Sequence, residues 1–77
     1  MGLLPLPSHI HYELLLQLLE RQTLPALEPG SPEYLQAQQV VISLRKAWMH
    51  QKVLEESCQR TDREVDHRWS LNRPHSP

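Results

Sequence analysis

A chain of 77 residues forms one small domain at most, a size at which a single core is marginally stable. Apolar residues make up 39%, below the usual range of about 45–50%, with no Phe and two each of Trp and Tyr, so material for a self-sufficient core is scarce. A net charge of −1 gives neither nucleic acid nor an acidic membrane surface an electrostatic hold, and no apolar run reaches the ~20 residues needed to span a bilayer.

In chain order, residues 1–7 read as an extended lead, because Pro5 and Pro7 lack amide donors and bias the residues before them away from helix. Ser8 is a helix cap, and the first helix is expected over 8–23, where Leu24-Pro25 stops it. Within it Leu14, Leu15, Leu16, Leu18 and Leu19 cover well over half the circumference, more than one partner helix can bury. The turn-rich stretch "PALEPGS" follows. Ser31-Pro32-Glu33 then starts a second helix, with a capping serine, proline at the first helical position and an acid at the positive helix end. That helix is expected over 32–56. Ala37, Val41, Leu44 and Trp48 recur at spacings of four, three and four, Val40 and Ala47 widen the stripe, and Gln38, Gln39, Arg45, Lys46 and Gln51 fill the other side. Beyond Leu54 the apolar face fades. The fold class is therefore all-α: a helical hairpin over 1–57, then a polar helical extension and disordered tail over 58–77, with no strand signal.

Little in this pattern can carry bond-making chemistry. His9 and His11 are two apart, which on a helix turns their rings about 160° from each other, whereas a helical metal pair needs a spacing of three or four. His50, His67 and His75 are scattered, so the histidines are read as solvated and no metal is expected. Ser43, Ser57 and Cys58 have no base and orienting group in sequence reach, and two glycines cannot build a phosphate loop. No catalytic residue and no cofactor are assigned. The lone Cys58 excludes an intramolecular disulfide and fits a reducing, cytoplasmic compartment. Leu15-Leu16-Gln17-Leu18-Leu19 matches the LxxLL pattern by which a helix enters a receptor groove, a pattern that any leucine-rich core helix imitates.

"PLPSHIHYELLLQLL" followed by "EPGSPEYLQAQQVVISLRKAW" resembles the C-terminal helical part of Dbl-homology domains, the exchange bundles that act on Rho-family GTPases. Pro5 stands seven residues before Tyr12, the triplet Leu14-Leu15-Leu16 and the pair Leu18-Leu19 follow, and Tyr34 stands near the start of the next helix. The resemblance covers about residues 4–56 and implies a Rho-family GTPase as partner, with Gln17, Arg21, Arg45, Trp48 and Lys52 as candidate contacts. The family's first conserved region has no counterpart here. Gln17 stands where lysine is common, and His11 where arginine precedes the tyrosine. The resemblance thus implies a partial or diverged exchange-factor segment, part of something larger, without exchange activity of its own.

The alternative reading is a small helical interaction module that binds a partner helix or a second copy, coiled-coil fashion. Its surface would draw on Tyr12, Leu15, Leu16, Leu18, Leu19, Val41 and Leu44. Neither reading is an enzyme, and neither involves nucleic acid.

Overall fold

Ser8 turns the extended lead into a helix. Its side chain accepts from the Ile10 amide at 3.3 Å, and its own amide donates to His11 Nδ1 at 3.0 Å. This is a capping box in which histidine takes the place of the usual Glu or Gln. The computed structural model describes residues 3–69 of the chain. It contains strand β1 (Leu4–Leu6), helix α1 (His9–Leu18), a π turn over Leu19–Thr23, a 3-10 turn over Leu24–Ala26, helix α2 (Pro32–Arg60) and strand β2 (Val65–His67).

The two expected helices are present as an antiparallel hairpin, with α1 lying against α2. The first is not uniform to residue 23. Pro25 has no amide to donate to the Arg21 carbonyl, and its ring crowds that turn. The backbone widens ahead of it: the Leu24 amide reaches back five residues to the Leu19 carbonyl, and Thr23 Oγ1 donates to the Leu18 carbonyl at 3.5 Å. Helix α2 begins where expected. Ser31 accepts from the Tyr34 amide at 3.1 Å, Pro32 occupies the first position, and Gly30 takes φ +84 in the preceding turn.

At its far end α2 runs four residues beyond the expected 56 and is closed by a two-bond lock. The Arg63 amide donates to the Cys58 carbonyl at 2.8 Å and the Asp62 amide to the Gln59 carbonyl at 3.2 Å, with Asp62 left-handed at φ 54. This lock redirects the chain, and it overturns the expectation of a strandless polar extension. Val65–His67 returns to pair in parallel with the lead, Leu4 opposite Val65 and Leu6 opposite His67. The Leu4 amide donates to the Glu64 carbonyl at 2.9 Å and the Arg68 amide to the Leu6 carbonyl at 2.7 Å. The ladder uses Leu4 and Leu6, so Pro5 needs no amide. The disordered tail expected at "LNRPHSP" lies outside the described residues.

The result is a plate, 50 × 30 × 16 Å, with a radius of gyration of 16.1 Å. A compact chain of this length would have a radius near 11 Å. One layer of two helices encloses little. The buried apolar side chains are Leu16, Ala37, Val41 and Cys58, and no large side chain among the described residues is fully enclosed.

Candidate interaction surface

The inner stripe of α2 is longer than its apolar residues suggest. Ala37, Val41, Leu44 and Trp48 continue with the same alternating spacing into Gln51, Glu55 and Cys58, all on the side that meets α1 and the lead. Gln51, expected on the polar face, is 5% exposed. Its amide nitrogen donates to the Pro7 carbonyl at 2.6 Å and to Glu55 Oε2 at 3.1 Å, while its oxygen accepts from the Tyr12 hydroxyl at 3.3 Å. Glu55 also takes the His9 amide at 2.9 Å and His9 Nδ1 at 2.8 Å. His9, read as solvated, is therefore committed to hydrogen bonds with Glu55. The signal for Gln51 and Glu55 was the 4-3-4-3 spacing, which continues past Trp48.

Burial pushes the Glu55 carboxyl up. Hydrogen bonds from Gln51, from the His9 ring and from the His9 amide, with the His9 charge, outweigh that and hold it below the ordinary carboxylate value. The same end of the molecule holds His67 Nδ1 at 3.3 Å from the Pro7 carbonyl, and the His11 and Trp69 rings with centroids 4.2 Å apart. The Gln51 amide, the Glu55 carboxylate, the Tyr12 hydroxyl and His9 Nδ1 are all engaged by other parts of the chain. Its chemistry is that of a clasp joining the lead, α1 and α2. Among the described residues no group of three or more His, Cys, Asp or Glu side chains gathers to hold a metal ion.

The five residues assigned to partner contact divide. Gln17, Arg45 and Trp48, with Glu13 and Leu16, line a shallow cleft of about 190 Å³ between the helices. Arg45 bridges to Glu20 at 2.8 Å, and Lys52 Nζ lies 4.6 Å over the Trp48 ring. The indole Nε1 of Trp48 is closed to solvent without an acceptor. Arg21 sits apart, exposed in the π turn. Of the apolar candidates, Leu16 and Val41 are buried, and Tyr12, Leu19 and Leu44 are half-buried. Leu15 and Leu18 remain 41% and 53% exposed.

The hairpin's two broad sides differ in kind. On the side of the cleft, Glu13 and Glu20 of the first helical segment face Arg45 and Lys52 of α2. The opposite side of α2, between Gln36 and Leu54, presents Gln36, Val40, Ser43, Ala47, His50 and Leu54 and no Asp, Glu, Lys or Arg. A shallow groove of about 410 Å³ runs along it, floored by Val40, Leu44 and Ala47. The pairs His9–Glu55, Tyr12–Gln51 and Glu20–Arg45 fix the register, so Leu15 and Leu19 lie on this same side, opposite the stretch between Gln51 and Arg45.

A model of a family of unknown function (DUF5340) matches residues 1–70. The chain is also similar to a curated protein of Anabaena cylindrica, described as an uncharacterized 9.3 kDa protein in soluble hydrogenase 5'region. The two are 56% identical over 69 residues, which cover 90% of this chain and 84% of the relative. No solved structure matches the chain. These findings overturn the Dbl-homology resemblance and leave the exchange-factor and Rho GTPase assignment drawn from it without support. Helix geometry gives the reason the motif misled. Leucine clusters recur wherever one short helix must bury several sides, and here α2 ends at Arg60 and the chain turns back to pair with the lead. Among the described residues, no helix is long and apolar enough to cross a membrane.

Proposed function

The chain belongs to this family of unknown function, and we propose that it is a helical interaction module that docks on another protein surface and performs no bond-making chemistry. One observation carries this reading: much of the apolar surface stays in water. Leu15, Val40 and Leu54 on the uncharged side are 41–45% exposed, and Ile10, Leu14, Leu18, Leu35, Ile42, Met49 and Val53 on the outer edges are 47–59% exposed. Monomeric proteins seldom leave apolar side chains so contiguous, and such surfaces mark binding sites. The titratable groups closest to a catalytic arrangement, His9 and Glu55, hold each other, and Glu55 also takes the His9 backbone amide, which supports a structural role. The free, buried thiol of Cys58 fits the reducing, cytoplasmic compartment in which we place the module.

Site-specific photo-crosslinking tests the reading. A benzophenone side chain at Leu15, Val40 or Leu54, in cells producing the full chain, is expected to give discrete adducts. The same group at Glu13 or Gln38 is expected to give none. A folded chain that forms no adduct from any of the five positions would overturn the interaction reading.

A further inference from the structure

We propose that the partner of the uncharged side is a second copy of this chain, so that two hairpins pack face to face as an antiparallel four-helix bundle. This deepens the interaction reading and rests on it. Stable domains are built from at least two packed layers, because a single layer of amphipathic helices leaves one side of its apolar stripe in water. This plate is 16 Å thick and has one such layer. A second copy supplies the missing layer.

Charge selects the face. A two-fold interface brings one surface patch against the same patch of the second copy, so every charged group in the patch loses water on both copies. The cleft side would bury Glu13, Glu20, Arg45 and Lys52 in this way. The outer edge of α2, with Leu35, Ile42, Met49 and Val53, has Lys46 in its middle and Arg60 at its end, so pairing there would take an ammonium and a guanidinium out of water. Only the side with Leu15, Val40, Ser43, Ala47, His50 and Leu54 meets its counterpart without an Asp, Glu, Lys or Arg of α1 or α2. Area agrees. A stable interface buries roughly 800 Å² per partner, and a 50 × 30 Å face can supply that. Ser43 and Ala47, one turn apart in the groove, are small enough to let a facing helix approach closely.

Sedimentation equilibrium of the purified full chain should return twice the 9.0 kDa chain mass at tens of micromolar. Val40→Glu and Ala47→Glu each bury a carboxylate in this apolar interface. Each should weaken association at least about tenfold while helical circular dichroism persists, whereas Ile42→Glu should leave association unchanged. A second measurement needs no substitution: in a mixed labelled and unlabelled sample, intermolecular methyl contacts should come from Leu15, Val40, Ala47 and Leu54. A monomer at these concentrations would overturn the proposal, as would intermolecular contacts from Ile42 and Met49 instead. Photo-crosslinks from Val40 to a different protein, with a monomeric purified chain, would overturn the self-pairing alone and leave the interaction reading standing.

Discussion

At residue scale, Glu55 shows how a small chain spends a charged group. Its carboxylate accepts three hydrogen bonds from His9 and Gln51 near the N-terminus of α1, where negative charge is favoured. Its folded pKa lies below the ordinary value, so its stabilisation is complete above the unfolded-state carboxylate pKa. That stabilisation is lost as pH falls through the lower folded value. We therefore expect the urea midpoint to drop as pH descends through the carboxylate range, and Glu55→Gln to flatten part of that drop. At neutral pH the same substitution should cost about 1.5–3 kcal/mol, the usual worth of hydrogen bonds to a charged group. A Glu55→Gln chain with unchanged neutral midpoint and unchanged acid slope would show that the clasp contributes nothing to stability.

At the scale of elements, both helices and their N-caps were legible in the sequence, because capping is local: Ser8 and Ser31 act within three residues of themselves. Helix ends and strands were less so. The π turn arises from Pro25 acting on the preceding turn. The pairing of Leu4–Leu6 with Val65–His67 joins segments some sixty residues apart and leaves no periodic trace in three-residue strands. Gln51 was misplaced for a related reason. Polarity was read as exposure, although its spacing put it on the inner stripe and the Pro7 carbonyl satisfies it there. The device that makes β2 possible is the lock at the end of α2, and it carries a cost, since Asp62 adopts the left-handed conformation that glycine takes freely. Asp62→Gly should raise stability by up to about 1 kcal/mol, read as an upward shift in melting temperature, with the Leu4 and Arg68 amides still protected from hydrogen exchange. A fall in melting temperature would mean that the Asp62 side chain does something in the turn beyond adopting its backbone angles.

At the scale of the whole molecule, the surplus of leucine in "HYELLLQLLERQ" is answered by counting sides. Leu16 faces α2 and Leu19 half-faces it, Leu15 faces the uncharged side, and Leu14 and Leu18 face outward. A monomeric hairpin uses two of these directions at most; a pair of hairpins uses Leu15 as well. If folding and pairing are coupled in this way, stability must follow mass action. The midpoint of thermal unfolding should then rise with protein concentration, because a tenfold increase adds about 1.4 kcal/mol to the pair, a shift of a few degrees for chains of this size. The pairing face carries no Asp, Glu, Lys or Arg, so the dissociation constant should change little between low and high salt, whereas contacts through the Glu20–Arg45 side would be screened. Calorimetry across a hundredfold concentration range, at two ionic strengths, reads both quantities. A midpoint independent of concentration would mean that one layer of helices, with four buried apolar side chains, is enough to hold this fold by itself.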